Sequence, residues 1–428
     1  MDLLIQHGTL VDGRGRYEAD VLIQNGVIAV VGQNLNAREA EVYDAAGQYV
    51  LPGLMDAHVH FRDPGLTHKE DFATGSRAAI HGGITAVLDM PNVVPVTNTR
   101  QRLLDRMAAA AERCAVNIRF FALLTEDNLS EMEGMAEAGA VGFKLFLGTS
   151  TGNVACPPDG ILLEQFREAR RLGLRIAVHA ENNGINGYYS KLYQDQGRTD
   201  PAVLPLARPA FSEIEAVNRA IAFSRETGAG LHICHVSTGG ALNLIRRAKA
   251  EGVDVTCETA PQYLLLNDSA YTTKGPIIKA FPTIKSEADR LALWEGIQDG
   301  TIDFIATDHA PHTPEEKQGN IWTVTGGVSG VEVALPLMLT EVNQGAISLE
   351  RLVELLAEHP ARVWNWEGHG AIRPGLPANV TVVDLQRKWT IDEKKLHGKN
   401  NVTAFGGTEV QGAAAATVVN GKLYRLTE

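Results

Sequence analysis

Two histidines separated by a single residue, His58 and His60, are the clearest sign of chemistry in this sequence. They follow an apolar run at 49–55 that is typical of a β-strand. Alternate side chains of a strand point the same way, so both imidazoles can bind one divalent metal ion. Arg62 continues the period, and a cation beside a metal favours a substrate that contains a carboxylate. The pattern alone fits equally well with a polar strand end that has two unrelated histidines.

The composition is typical of a large soluble enzyme with more than one structural unit. The 428 residues exceed one ordinary domain and suit a barrel of about 250–300 residues with a smaller unit. A net charge of −12 without a basic cluster argues against nucleic acid or an anionic membrane as a partner. We expect no membrane span and no signal peptide. Four scattered cysteines predict reduced thiols in a cytoplasmic protein, namely Cys114, Cys156, Cys234 and Cys257.

Both ends of the sequence have the pattern of short β-strands joined by turns. Within residues 1–52, Asn25-Gly26 separates two apolar runs, which is a strong hairpin signal. Residues 366–428 continue the pattern with apolar runs such as 380–383. Neither end has enough strands to be stable alone. We therefore predict one composite β-sandwich domain, the alternative being two separate decorations of the central part.

The central part, residues 53–365, alternates short strand-like runs with helical stretches. This alternation predicts a parallel sheet, and the number of repeats favours a closed (β/α)8 barrel over an open sheet. The first strand precedes His58, and the pattern leaves the eighth unresolved. The other six candidate strands are 83–89, 142–147, 175–179, 230–235, 254–258 and 304–308.

Polar residues lie in or at the C-terminal ends of four of these strands, where the active sites of such barrels are built: Lys144, His179, His235 and Asp308. Each has an ordinary alternative, since a lone histidine can be structural and Asp308 can cap a loop. A buried unpaired ammonium is costly, so Lys144 needs either a salt bridge or conversion to a carbamate by CO₂. Their occurrence together with the histidine pair favours a metal site.

Several neighbouring residues are not assigned to this site. We expect Cys234 and His232 to face away from it on their strand, and His309 to support its loop. The polar stretch 313–327 is predicted to be a loop beside the site that either closes over substrate or is static. The remaining histidines without strand-end context are interpreted as surface or structural, namely His68, His81, His359, His369 and His397.

The six candidate ligands resemble the binuclear metal site of the amidohydrolase superfamily, specifically its cyclic-amide hydrolases: His58, His60, Lys144, His179, His235 and Asp308. The likeness covers nearly the whole chain, including the two β-rich ends. It implies two zinc ions per subunit, bridged by a carboxylated Lys144 and a hydroxide. One ion would be held by the His58–His60 pair with Asp308, and the other by His179 and His235. Asp308 would also be the catalytic acid and base.

Within this superfamily the sequence is most similar to the dihydroorotases. Arg62 in 58–65, Asn92 in Met90-Pro91-Asn92 and His312 in 306–312 match the residues that bind their substrate carboxylate. The resemblance implies reversible hydrolysis of L-dihydroorotate to N-carbamoyl-L-aspartate in de novo pyrimidine biosynthesis. It also implies a cytoplasmic homo-oligomer, either a dimer or a tetramer.

Three segments depart from the dihydroorotase pattern. Gln262-Tyr263 stands where many dihydroorotases have two histidines, Phe281 replaces an asparagine before proline, and 148–153 is similar to hydantoinases. The alternatives are therefore a hydantoinase, dihydropyrimidinase or allantoinase, and a catalytically silent assembly partner for another pyrimidine enzyme. The presence of every metal ligand argues against the silent form.

Overall fold

The secondary structure contains both helices and strands, and the two alternate in the central part of the chain. The computed structural model of the protein describes residues 2–150, 152 and 154–426. Its strands are β1 (Leu3–Gln6), β2 (Thr9–Asp12), β3 (Gly15–Glu18), β4 (Asp20–Gln24), β5 (Val27–Gly32), β6 (Glu41–Asp44), β7 (Tyr49–Pro52), β8 (Leu54–Val59), β9 (Ile84–Asp89), β10 (Asn117–Phe120), β11 (Ala122–Leu123), β12 (Phe143–Phe146), β13 (Ile176–His179), β14 (Leu231–Ile233), β15 (Val255–Thr259), β16 (Phe304–Ile305), β17 (Val380–Thr390), β18 (Glu409–Val419) and β19 (Lys422–Arg425).

The helices lie mostly between the central strands. They are α1 (Phe72–His81), α2 (Arg100–Arg113), α3 (Met132–Glu137), α4 (Asp159–Leu172), α5 (Asn183–Asp195), α6 (Leu204–Ala207), α7 (Ala210–Thr227), α8 (Gly239–Ala250), α9 (Pro261–Leu265), α10 (Ala270–Lys274), α11 (Glu287–Asp299), α12 (Ala334–Asn343), α13 (Leu349–Val353) and α14 (His359–Val363). None of the helices in the described ranges combines the length and the apolar character needed to cross a membrane.

The strands from β8 to β16 form a parallel barrel, as the alternation predicted. They pair in the order β10-β9-β8 and β11-β12-β13-β14-β15-β16, with β10 and β11 separated only by Phe121. A parallel bridge between Val59 and His309 joins the first strand to the chain after the last strand. The eighth strand, which the pattern left unresolved, is thus the interrupted 117–123 segment. Its half-buried Asn117 and Arg119 break the apolar run that marks the other strands.

Both ends of the chain contribute to a two-sheet sandwich, which confirms the predicted fold class. One sheet has the order β5-β4-β1-β6, and the other, β19-β18-β17-β7-β2-β3, combines strands from both ends. In the second sheet Val50 of β7 pairs with Val382 of β17 in antiparallel register. Both residues are buried in one apolar core with Leu3 and Val21 of the first sheet. The exact domain limits, 1–52 with 366–428 and 53–365, stay a prediction.

A buried ion pair fixes the segment that follows β8. Arg106 of α2 bonds Asp89 at the end of β9, with Nη2 and Oδ2 2.7 Å apart. The other oxygen of Asp89 accepts a hydrogen bond from the backbone N–H of Phe61 at 3.0 Å. The Nε of Arg106 donates to the carbonyl of Asp63 at 3.0 Å. These contacts hold the backbone on both sides of Arg62.

Candidate metal centre and active site

The two histidines at the end of β8, His58 within the strand and His60 just after it, each have one ring nitrogen fixed and the other directed at Asp308. The Nδ1 of His58 is hydrogen-bonded to the carboxylate of Glu258, and the Nδ1 of His60 lies 2.9 Å from the amide oxygen of Asn92. Their Nε2 atoms lie 3.3 and 3.1 Å from the same Oδ1 of Asp308. An Nδ1–H donated to oxygen leaves the lone pair on Nε2, where it can bind a metal.

The other two predicted histidines form a second pair beside the first. The Nδ1 of His179 lies 3.0 Å from the Nε2 of His235. On its far side, the Nε2 of His179 is 3.1 Å from the carboxylate of Glu181. The buried Nδ1 of His235 has no hydrogen-bond partner among the described residues. The rings of His58 and His235 are 5.3 Å apart between centroids, so all four imidazoles form one cluster.

Lys144 lies within this cluster, and no described residue provides a counter-ion for it. Its side chain is buried, with only 1% of the residue exposed. Its Nζ donates to the Sγ of Cys234 at 3.0 Å, and it makes no ion pair with a carboxylate of residues 2–150, 152 or 154–426. Burial raises the pKa of the Cys234 thiol to about 12, so this partner is a neutral thiol at neutral pH. An ammonium here has no compensating charge, which is an expensive arrangement.

The prediction that Cys234 and His232 face away from the centre is wrong. His232 is buried, and its Nε2 lies 3.1 Å from the Glu258 carboxylate that also bonds His58. His232 and Cys234 share the inner face of the strand by ordinary alternation. His235 joins them only because its backbone is left-handed, with φ 39°. This turn reverses the alternation on which the prediction depended.

The electrostatics of the cluster keep its imidazoles neutral. Burial lowers the pKa of all four, with the positive charge of Lys144 as a further cause: His58, His60, His179 and His235. Neutral imidazole is the form that binds metals. Imidazole nitrogens with a carboxylate are a donor set suited to zinc and similar divalent ions. The oriented rings and the unpartnered nitrogen of His235 therefore fit the predicted metal centre.

A buried arginine, Arg62, lies next to the metal centre. Arg62 is 2% exposed and its backbone is left-handed, with φ 62°. Its Nη2 lies 3.2 Å from the Nε2 of His312, and it forms no ion pair with a carboxylate of the described residues. Burial lowers the pKa of Arg62 to about 10, so it stays charged at neutral pH. Thus Arg62 and His312 come together as predicted, whereas the amide oxygen of Asn92 contacts His60.

Two carboxylates of the site were missed by the sequence analysis. Glu258 bridges His58 and His232, and Glu181 bridges His179 and Arg208, whose Nε is 3.1 Å away. Glu258 ends the predicted strand 254–258 and lies within β15, and Glu181 lies two residues after β13. A polar residue at or just after the C-terminal end of a barrel strand is the same signal that singled out His179 and Asp308. Applied to acidic residues as well, it would have found both.

The residues that depart from the dihydroorotase pattern are mainly packing residues. Gln262 and Tyr263 donate to the main-chain carbonyls of Thr307 and Pro282, at 3.4 and 2.7 Å. Phe281 packs against the guanidinium of Arg208, with 3.8 Å between the carbon and the ring centroid. In the segment 148–153, Thr151 and Asn153 lie outside the described residues.

The loop 313–327 is tied down by buried lysines. Lys317 donates to the carbonyls of Gly327 and Thr325 at 2.8 and 3.0 Å. Lys279, which precedes the loop, donates to the carbonyl of Ile321 at 2.7 Å. These bonds favour the static form of this loop over a closing lid.

Glu258→Gln is expected to weaken metal binding by about 10–100-fold, because an amide orients and polarises His58 less well than a carboxylate. Competition with a chelator would measure the affinity. Glu215→Gln is the matched control, because its carboxylate bonds only the side chain of Asn182 among the described contacts. Equal affinities in the two variants would show that Glu258 does not position the ligand.

Comparison with known proteins agrees with this geometry. The model of the amidohydrolase family matches residues 49–424. An allantoinase of Rubrobacter xylanophilus is 37% identical over 98% of this chain and 93% of its own. A dihydroorotase of Geobacter sp. is 37% identical, with 99% of both chains covered. The solved L-hydantoinase from Arthrobacter aurescens has a TM-score of 0.96 at 34% identity, covering 100% of this chain and 98% of that one. The chain belongs to the amidohydrolase family.

Proposed function

We propose that the protein is a dihydroorotase, which interconverts L-dihydroorotate and N-carbamoyl-L-aspartate. Arg62 supports this choice, because it is a buried cation beside His312 without an ion-pair partner among the described residues. A substrate carboxylate would supply the missing charge through two charge-assisted hydrogen bonds. Hydantoin and allantoin have no carboxylate. The relatives include enzymes named for all three activities, so similarity alone does not decide between them.

The proposed cofactor is a pair of zinc ions per subunit. His58, His60 and Asp308 would hold one ion, and His179 and His235 the other. Lys144 would bridge them as a carbamate. In that reaction the ammonium of Lys144 first loses one proton to solvent. The neutral amine nitrogen then bonds to the carbon of CO₂ and loses a second proton, so a cation becomes an anion. When bound, the ions would polarise the scissile carbonyl and lower the pKa of the attacking water.

Asp308 has the proposed role of acid and base. In hydrolysis its carboxylate takes a proton from the attacking water and delivers it to the ring nitrogen as the C–N bond breaks. In cyclisation it takes the proton from the ureido nitrogen and returns it to the departing oxygen. Its side chain is 12% exposed and its backbone is left-handed, with φ 50°. Arg62, Asn92 and His312 would hold the substrate carboxylate and so orient the ring for attack.

Arg62→Met is expected to lower kcat/KM for L-dihydroorotate by about 30-fold or more, since losing such an interaction costs roughly 2–5 kcal/mol. Turnover of neutral hydantoin should fall much less, because it offers Arg62 no carboxylate. Arg62→Lys should recover part of the loss, as a point charge does not reproduce the planar fork. Steady-state kinetics on both substrates measure the difference.

Arg167→Met on α4 is the control, because Arg167 is half-exposed and pairs only with Glu164 among the described contacts. It should leave both substrates unaffected. Equal losses on charged and neutral substrates in Arg62→Met would mean that Arg62 supports the fold. The proposed substrate would then lose its main support.

A hydantoinase or allantoinase is the second candidate. Phe281, which stands where many dihydroorotases have asparagine, packs on Arg208, and Arg208 in turn bonds the Glu181 that contacts His179. An aromatic ring at this position offers no hydrogen bond where an asparagine would, which favours a less polar substrate. Cytoplasmic location and homo-oligomerisation stay predictions.

A further inference from the structure

Three side chains that bind metals in other proteins meet at a place that shares no residue with the candidate active site. They are His81 at the end of α1, Glu332 just before α12, and His397 between β17 and β18. The sequence analysis interpreted both histidines as surface or structural residues. The three segments are far apart in the chain, so their meeting is a property of the fold.

The contacts within this cluster are close. The Nδ1 of His397 lies 2.7 Å from one oxygen of Glu332, and its backbone N–H donates to the other oxygen at 2.7 Å. The rings of His81 and His397 are stacked, with centroids 3.3 Å apart and planes 10° from parallel. One ligand atom from each residue lies within 4.8 Å of the others.

An ion can reach this cluster from solvent. A cavity of about 1180 Å³ is lined by all three residues, together with Trp389 and Asp392. The side chain of His397 is 37% exposed. The ring of His397 is therefore partly exposed rather than enclosed in a packed core.

We propose that His81, Glu332 and His397 form a separate structural site for a divalent transition metal of the zinc class. Two imidazoles and a carboxylate are a typical ligand set for such an ion, and water can fill the fourth position from the cavity. Metal bonds of about 2.0–2.1 Å require ligand atoms about 3.4 Å apart. Because stacked rings hold their lone pairs in two parallel planes, one ring must tilt to bring its nitrogen to the same ion.

Such an ion would fasten the segment after β17 to the barrel. That segment already contacts the barrel at the cluster, since Arg77 of α1 donates to the carbonyl of His397 at 3.0 Å. Two residues later, the backbone N–H of Lys399 donates to the carboxylate of Glu70 at 3.2 Å. Metal bound only by the folded protein must raise its thermal stability.

The test is zinc binding to the holoenzyme with its active-site metals in place. After addition of zinc chloride and gel filtration, wild type should retain one more zinc ion per subunit than His397→Ala, by elemental analysis. The melting temperature of wild type should rise by about 2–5 °C with zinc. His397→Ala and His81→Gln should show no such rise while keeping wild-type circular dichroism and basal activity.

Two further variants distinguish zinc binding at this site from zinc binding elsewhere on the protein. His7→Ala removes an exposed histidine that pairs with Asp44 at 2.9 Å, and it should keep the extra ion. Lys144→Ala, which alters only the active-site pair, should keep it too. Equal zinc content and equal melting shifts in wild type, His397→Ala and His81→Gln would overturn the proposal, whatever the substrate of the enzyme.

Discussion

Lys144→Ala is expected to lose the metal pair and to lower kcat/KM by about 10²–10⁴-fold. The chemistry supplied by the ions is worth several kcal/mol, and each 1.36 kcal/mol is a factor of ten in rate. The residue is buried among neutral imidazoles, and its only described hydrogen bond is to a thiol. Removing it takes away the proposed bridging carbamate. Elemental analysis and kinetics measure both losses, and short carboxylic acids should partly restore them.

Cys234→Ala is the matched control for this experiment. It removes the partner that Lys144 touches but not the lysine, so it should retain both ions and most activity. Lys144→Ala protein that keeps two metals and full activity would show that the lysine has an ordinary structural role. A crystal structure with an unmodified ammonium in a salt bridge would lead to the same conclusion.

Asp308→Asn is expected to lower kcat by about 10²–10⁴-fold, because an amide cannot accept and return the proton. KM should change much less, since the proposed carboxylate-binding residues are intact. Asp303→Asn provides the comparison from the residue just before β16, where Asp303 pairs with Lys249 at 2.6 Å. That variant should alter stability more than kcat.

A different outcome would reassign the proton transfer. If Asp308→Asn retained wild-type kcat after metal reconstitution, another group would have to act as the base. If it lost activity only in proportion to lost metal, Asp308 would be a ligand and nothing more.

The general architecture follows from repeated local patterns. Apolar strands such as Ile84–Asp89 alternate with helices, and a parallel barrel is the fold that such alternation favours. Asn25-Gly26 likewise indicates a hairpin, and β4 and β5 do pair around it. The strand at 117–123 was not predicted because Asn117 and Arg119 interrupt the apolar run that marks the other strands. Both residues are half-buried in the sheet.

The candidate site was only partly predictable, because strand periodicity fails where the strands end. Strand periodicity correctly predicted that His58 and His60 lie together. Arg62, His235 and Asp308, however, have left-handed backbones with φ 62°, 39° and 50°. No strand rule gives the side-chain direction of such residues, and this is why Cys234 was assigned to the wrong face.

The contacts that orient the metal ligands join residues that are far apart in the sequence. Glu258 lies 200 residues from the His58 that it bonds. Its position at the end of a barrel strand indicates a place in the site, but nothing local identifies which histidine it bonds. Such pairings become visible only once the barrel is closed.

The most direct test of the proposed function is a parallel assay of the purified, metal-replete protein on three substrates. L-Dihydroorotate, hydantoin and allantoin would be compared at equal concentrations, with cyclisation of N-carbamoyl-L-aspartate followed in the reverse direction. We expect the highest kcat/KM for L-dihydroorotate and measurable cyclisation, because only this substrate supplies a carboxylate to Arg62. Turnover of hydantoin or allantoin with none of L-dihydroorotate would contradict the proposal.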